Sequence, residues 1–220
     1  MKGILRIRRG TTFADYPVEA ESDTPVTRLL DDLNTTLEDP IEWECSCGQT
    51  LCGACAMIIN GVPRLACSTL FGDAGPLITL EPLSKFPLIA DLRVDRSCMY
   101  AAVRAMNLWL TEHEPAVADD VDLQYAAASC IMCGCCLEVC PNYTGRDTFY
   151  GAFAANAAAK TVMQTPDTCH QNIIAKTAAE RTTAHCSKSL SCQRVCPARI
   201  PLAVTISRLN RRYLRQIFHR

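Results

Sequence analysis

The sequence lacks the features of several common classes of protein. No segment approaches the roughly 20 consecutive apolar residues of a membrane-spanning helix, so we expect a soluble or peripheral protein with no transmembrane segment of its own. The opening residues, MKGILRIRRGTTFADYP, contain no continuous apolar run, and we therefore expect no export signal despite the pair Arg8-Arg9. The formal net charge is only −1, which argues against nucleic acid as a partner.

The motifs of substrate chemistry are also missing. The chain has no G-x-G-x-x-G dinucleotide fingerprint, and neither a catalytic triad nor a pair of carboxylates stands out. We therefore predict no catalytic residue on this chain.

Cysteine, in contrast, is far more abundant than usual, with 15 in 220 residues. A secreted disulfide protein could have this composition, but it would need the export signal that is missing here. The spacing of the cysteines indicates metal clusters instead.

The first cysteine run reads C-x2-C-x2-C-x3-C-P through Cys130, Cys133, Cys136, Cys140 and Pro141. This spacing is typical of a cubane iron–sulfur cluster, and in two-cluster ferredoxins the cysteine before the proline binds the other cluster. Structural disulfides and zinc are the alternatives, but zinc sites usually pair two short C-x2-C hooks.

The second run repeats the spacing with one ligand replaced. Ser189 stands where a cysteine belongs, between Cys186 and Cys192, and Cys196 precedes a proline. A site that is short of one thiolate suits a cluster that is short of one iron, although a serine alkoxide can occasionally bind iron. We therefore assign a [4Fe–4S] cluster to Cys130, Cys133, Cys136 and Cys196, and a [3Fe–4S] cluster to Cys140, Cys186 and Cys192.

A third cysteine system lies upstream, where Cys47, Cys52 and Cys55 form C-x4-C-x2-C, and Cys67 follows after a hairpin whose predicted turn, Asn60-Gly61, favours positive φ at both residues. This is the plant-type [2Fe–2S] spacing, with zinc as the alternative. Cys45 and Cys135 lie beside these ligands but do not keep the spacing. We expect the remaining two, Cys98 and Cys169, to be free and buried.

The predicted fold is α+β, with a β-grasp [2Fe–2S] ferredoxin domain over residues 1–112 and an all-α two-cluster domain over 113–220. Residues 3–20 alternate as a hairpin, and a strand follows at Leu77 to Leu83. Two helices should begin after the capping residues Asp23 and Asp95, the second extending to about Leu110.

The second domain should be helical, since the segment YGAFAANAAAK favours helix. Its last helix should begin near Leu202 with an apolar stripe. A basic face lies opposite that stripe, and it could be a solvated surface or a docking surface for a partner or for anionic lipid. Its residues are Arg208, Arg211, Arg212 and Arg215.

The three cysteine motifs, together with the stretch LITLEPLSKFPLIADLRVD, resemble the iron–sulfur subunit of succinate dehydrogenase or fumarate reductase over nearly the whole chain. The resemblance implies single-electron transfer between the FAD of a flavoprotein subunit and a quinone at a membrane anchor. It also implies a peripheral location on the cytoplasmic face of the inner membrane.

The chain departs from the family pattern at several positions. Gly48 and Thr50 stand where many relatives have arginine and glycine in C-R-x-G-x-C. Pro141 is retained near the quinone end, but Gly145 and Ser187 replace an aromatic residue and a histidine. We expect Pro141, Ser187 and Ser189 to be the residues of this chain that lie at the cofactor beside the third cluster.

Two other functions stay open on the sequence. The same three clusters could serve another flavoprotein or a thiol/disulfide reductase module, because the residues most closely tied to quinone are replaced. A zinc scaffold without redox activity is the third possibility.

Overall fold

The computed structural model describes residues 1–109, 120–145, 149–164 and 169–218, and it divides the chain into two compact units. The first unit comprises Met1–Arg96 and Ile131–Glu138, and the second comprises Ser97–Cys130 and Val139–Arg220. The predicted domain boundary between residues 112 and 113 lies outside the described residues.

The first unit is built on a five-stranded mixed sheet with the strand order β2-β1-β5-β3-β4. β1 and β5 are parallel neighbours, and the other pairings are antiparallel. The strands are β1 (Lys2–Arg9), β2 (Thr12–Glu19), β3 (Ala56–Ile59), β4 (Val62–Leu65) and β5 (Leu77–Glu81). A separate pair follows, β6 (Leu88–Ala90) with β7 (Arg93–Val94).

Alternation of apolar and charged residues places one face of this sheet in the core. Leu5 and Ile7 of β1 are fully buried, whereas Arg6 between them pairs with Asp15 on the outer face. The predicted hairpin at Asn60 and Gly61 is confirmed, because both residues have the positive φ, 49° and 75°, that such a turn requires. Strand β5 ends at Glu81, two residues before the predicted Leu83.

Helix α1 (Val26–Asn34) packs its apolar stripe on the sheet, with Leu29 and Leu30 buried. The predicted cap at Asp23 is wrong: the residue that precedes the helix is Pro25, and no side chain caps it. The backbone N–H of Val26, which as the first residue of the helix has no acceptor within it, donates to the carbonyl of Thr69 at 2.9 Å. The first unit also contains the short helices α2 (Phe71–Ala74) and α5 (Cys135–Glu138).

The second unit is helical throughout the part that the structure describes. Its helices are α3 (Ser97–Ala105), α4 (Val121–Ala128), α6 (Gly151–Gln164), α7 (Cys169–Arg181), α8 (Ser191–Arg194) and α9 (Leu202–Phe218). Helix α6 packs against α4, α7 and α9, and its buried alanines allow the close approach of these neighbours.

Helix α3 ends at Ala105, earlier than predicted, and the predicted end at Leu110 lies outside the described residues. Its Met99 and the following Met106 are buried. Helix α9 begins at the predicted Leu202, and Leu202 and Leu209 are buried while Ile217 is half exposed. In the described ranges, no helix has the length and apolar character that crossing a membrane would need.

Candidate metal centres

The loop that carries Cys47 and Cys52 directs backbone N–H groups at their sulfur atoms. The Sγ of Cys47 accepts hydrogen bonds from the N–H groups of Gln49 and Leu51 at 3.4 and 3.3 Å, and the Sγ of Cys52 accepts one from Ala54 at 3.4 Å. These donors lower the pKa of the Cys47 thiol to about 7. Since the thiolate is the form that binds metal, the loop favours the ligating state of Cys47.

The loop reaches this shape through three residues with positive φ: Gly48 at 64°, Thr50 at 68° and Gly53 at 73°. Thr50, the position at which the family pattern has glycine, is β-branched and pays for this conformation with about 1–2 kcal/mol of strain. Thr50 thus keeps the positive φ that a glycine would adopt at this position without strain.

Cys55 and Cys67 lie within hydrogen-bond distance of each other. Burial raises the pKa of the Cys55 thiol to about 12; the side chain and charge of Cys67 also raise this pKa, whereas a hydrogen bond from the backbone of Cys67 lowers it. A metal cation relieves this penalty because it replaces the proton on the sulfur. The donor set of four cysteines therefore fits an iron–sulfur cluster, with Cys45 as an exposed neighbour of the set.

The first cysteine run is divided between the two units. Cys133 and Cys136 belong to the first unit, where Gly134 lies so close to Phe86 that an added Cβ would be 2.9 Å from the ring. Glu138 of α5 accepts hydrogen bonds from the Ser84 hydroxyl and from the N–H of Lys85. Cys130 and Cys196 belong to the second unit.

Cys133 is buried, and a hydrogen bond from the thiol of Cys135 is the main cause that lowers its pKa to about 7. Cys135 is itself fully buried in the first unit. Cys135, the neighbour that does not keep the spacing, therefore stabilises the thiolate form of Cys133.

The structure brings together Cys140, Cys186 and Cys192 around one cavity of about 600 Å³ in the second unit. Burial, followed by the charges of the other two cysteines, raises the pKa of Cys192. Ser189 lines the same cavity, so the residue that replaces a cysteine of the motif in the sequence also lies beside the other three cysteines in space. This donor set fits a cluster with three cysteine ligands.

Polar and apolar groups complete the wall of this cavity. The Ser187 hydroxyl donates to Oδ1 of Asn142 at 2.7 Å, and the Asn142 amide donates to the carbonyl of His185 at 2.9 Å. On the opposite side α9 contributes Ile206, Leu214 and Phe218. Pro141, in contrast, is exposed and does not line the cavity.

Two residues that contact the cysteine sites were not predicted from the sequence. For Asn142, the only sequence feature that could have indicated its role is its position directly after the Cys-Pro motif. Arg96 contacts both cysteine loops of the first unit, but an arginine after a short strand carries no distinctive pattern.

The prediction that Cys98 is buried is wrong. The residue is exposed, because the second position of α3 faces solvent, and its Sγ lies 3.6 Å from the Tyr143 hydroxyl. The side chain of Cys169 lies outside the described residues. None of the 14 cysteines with described side chains forms a disulfide.

Two families match separate parts of the chain. Residues 5–101 match the family described as a 2Fe-2S iron-sulfur cluster binding domain, and residues 126–200 match the family described as a 4Fe-4S dicluster domain. These matches confirm the predicted α+β class, with a ferredoxin-like mixed-sheet domain before a helical dicluster domain.

Relatives with known names match over most of the chain. The succinate dehydrogenase iron-sulfur subunit of Bacillus subtilis is 29% identical over 93% of this chain and 90% of its own length. The fumarate reductase iron-sulfur subunit of Wolinella succinogenes is 30% identical over 91% of this chain and 89% of its own length. A chain of the Mycobacterium smegmatis Sdh1 complex in the apo form shares the fold, with a TM-score of 0.85 and 24% identity over 100% of this chain and 98% of that one.

Proposed function

Because the chain belongs to the family of the iron–sulfur subunits of succinate dehydrogenase and fumarate reductase, and is therefore an electron-transfer subunit, we propose that it holds three clusters between a flavoprotein and a quinone. The family accounts for the [2Fe–2S] and [4Fe–4S] domains. The proposal adds the ligands, the three-iron cluster and the two electron partners.

The proposed ligands follow the spacing of the cysteines. The [2Fe–2S] cluster is held by Cys47, Cys52, Cys55 and Cys67 of the first unit. The [4Fe–4S] cluster is held by Cys130, Cys133, Cys136 and Cys196, and the [3Fe–4S] cluster by Cys140, Cys186 and Cys192. When bound, such clusters accept and release one electron at a time.

The cavity in the second unit is the observation that carries this proposal. Three cysteines and a serine converge there from two distant parts of the sequence, and only the serine lacks a thiolate. The chain thereby supplies three ligands and leaves one corner of a cubane without a sulfur donor. Absence of that donor favours a three-iron cluster.

The same cavity is where a quinone would approach. Its wall combines apolar residues of α9 with the polar pair Asn142 and Ser187, as the walls of small-molecule sites do. Ser187 would donate a hydrogen bond to a quinone oxygen by turning its hydroxyl away from Asn142. The exposed Pro141 is then a surface contact near the entrance rather than a wall residue.

The partners in this proposal are a flavoprotein that holds FAD and interconverts succinate and fumarate, and an anchor that holds the complex at the membrane. This chain contributes no substrate chemistry. Its place would be peripheral, on the cytoplasmic face of the inner membrane, with α9 presenting exposed Arg211 and Arg215 beside the apolar end of the helix.

Anaerobic purification of the intact complex tests the proposal. We expect a flavoprotein, an anchor subunit and bound quinone to co-purify, and we expect succinate to produce the electron paramagnetic resonance signals of reduced clusters. Co-purification with a different flavoprotein or with a thiol/disulfide reductase, and no reduction by succinate, would replace the proposed partners. The isolated chain should neither oxidise succinate nor reduce fumarate with an artificial dye.

A further inference from the structure

Arg96, at the end of the first unit, binds two cysteine loops at once. Its Nη1 donates to the carbonyl of Gly53 at 2.8 Å and to that of Cys133 at 3.4 Å, and its Nη2 donates to the carbonyl of Ala54 at 3.0 Å. Its side chain is only 14% exposed. Gly53 and Ala54 are the two residues between Cys52 and Cys55, so one guanidinium connects both cysteine motifs.

The two loops also touch directly beside this guanidinium. A Cβ on Gly53 would be 2.8 Å from the carbonyl oxygen of Ile131 and 2.9 Å from Cβ of Cys133. Gly53 also has a φ of 73°, which L side chains rarely adopt. The position therefore requires glycine for two reasons, and both keep the loops in contact.

An arginine is suited to this position by its shape and charge. Its planar group carries five N–H donors, which lets it serve carbonyl groups from two loops together, whereas lysine is a single flexible point charge. Glu44 accepts a further hydrogen bond from this guanidinium, with Oε2 2.8 Å from Nη2 of Arg96, and its Oε1 lies 3.0 Å from Nε of Arg93.

We propose that Arg96 is a positioning residue for electron transfer: it fixes the [2Fe–2S] loop against the Cys133 loop and supplies a positive charge beside both. This inference rests on the proposed ligand sets. The step it serves moves one electron from one site to the other, so one is oxidised as the other is reduced, with no bond made or broken. A nearby cation stabilises the more negative, reduced state of each site.

The test compares Arg96→Gln and Arg96→Lys with the control Arg93→Gln in the intact complex. Arg93 shares Glu44 with Arg96, and its guanidinium pairs with the carboxylates of Glu42 and Glu44. The readouts are redox titrations followed by electron paramagnetic resonance and the enhancement of the [2Fe–2S] spin relaxation by the reduced [4Fe–4S] site.

We expect Arg96→Gln to lower the midpoint potentials of the [2Fe–2S] and [4Fe–4S] sites and to weaken the relaxation enhancement, while the three-iron midpoint does not change. Arg96→Lys should keep the midpoint potentials closer to those of the wild type, because the positive charge remains. It should still weaken the relaxation enhancement, because the several N–H donors that bind both loops are lost. Arg93→Gln should change neither.

Several results would overturn the inference. These are full cluster content with unchanged enhancement and potentials in Arg96→Gln, an equal shift of all three clusters, or the same change in Arg93→Gln. Loss of both clusters in both Arg96 variants would assign the residue to folding alone. A wild type without the two cluster signals would refute the proposed function itself, and that measurement is made first.

Discussion

The cysteine loop of the first unit and the three-cysteine cavity of the second position their proposed ligands by different means. Cys47, Cys52 and Cys55 lie within one short loop whose backbone N–H groups point at two of the sulfur atoms. The cysteines that line the cavity come from segments more than 40 residues apart, Cys140 in one and Cys186 with Cys192 in the other.

This difference shows which part of the chain controls each site. The loop depends on local backbone conformation, so the residues with positive φ determine its shape. The cavity depends on the packing of helices, and in the proposed ligand set one side chain, Ser189, takes the place of a fourth thiolate. Substitutions in the loop should therefore affect assembly, whereas substitutions at the cavity corner should affect the type of cluster.

The largest expected effect is the loss of the [2Fe–2S] cluster in Cys47→Ala, because a ligand and the acceptor of two N–H bonds disappear together. The matched control is Cys45→Ala, which removes the exposed neighbour at the wrong spacing. Electron paramagnetic resonance of the reduced complex should lose the [2Fe–2S] signal in the first variant and keep it in the second. If Cys45→Ala alone loses the signal, the ligand assignment of this loop is wrong.

A change of cluster type is expected in Ser189→Cys, since a fourth thiolate would complete the ligand set of the cavity. The variant should lose the signal of the oxidised three-iron centre and acquire a four-iron centre of lower potential, because an added anionic ligand favours the oxidised state. Ser187→Cys places the same thiol in the same cavity at the wrong spacing and should keep the three-iron signal. An undiminished three-iron signal in Ser189→Cys would show that Ser189 does not mark the open corner.

A moderate loss of stability is expected in Gly53→Ala. Positive φ and the close approach to Ile131 and Cys133 together should cost about 2–4 kcal/mol. Gly61→Ala is the control: its φ is 75°, but nothing lies within 4 Å of an added Cβ, so it should cost only about 1 kcal/mol. Thermal unfolding followed by the loss of cluster absorbance measures both, and equal losses would contradict the close contact of the loops.

The smallest expected effect comes from the ion pair between Arg208 and Asp120 of the second unit, whose Nη2 and Oδ2 atoms are 2.7 Å apart. Both side chains are about one third exposed, so Arg208→Ala should cost less than about 1 kcal/mol. Asp120→Asn preserves the cap on Leu123 and removes the charge. A double-mutant cycle at low and high salt measures the pair, and a coupling energy that salt leaves unchanged would contradict a solvent-screened pair.

Much of the first unit could be predicted from the sequence because its signals are local. The hairpin of β1 and β2, the Asn60-Gly61 turn and helix α1 each follow from a pattern within about ten residues. Asp23 was wrongly predicted as a cap. The hydrogen bond that takes the place of the cap, from Val26 to Thr69, joins residues more than 40 positions apart, and a local pattern cannot predict it.

The candidate sites divide in the same way. The three cysteine groups were predicted from spacing alone, because cluster ligands follow regular spacings along the chain, and their assignment as ligands stays a prediction. The roles of Asn142 and Arg96 depend on contacts between separate segments, and no short pattern reports such contacts. Cys98 was predicted to be buried because free cysteines usually are, but its position on α3 exposes it to solvent.

Metal and acid-labile sulfide analysis of the anaerobically purified complex tests the central claim, three clusters on this chain, most directly. With one [2Fe–2S], one [4Fe–4S] and one [3Fe–4S] cluster, we expect about nine irons and about ten sulfides per copy of this chain, after correction for cofactors of the other subunits. Mild oxidation should also produce the three-iron signal. Zinc in place of iron, or iron without sulfide, would contradict the account.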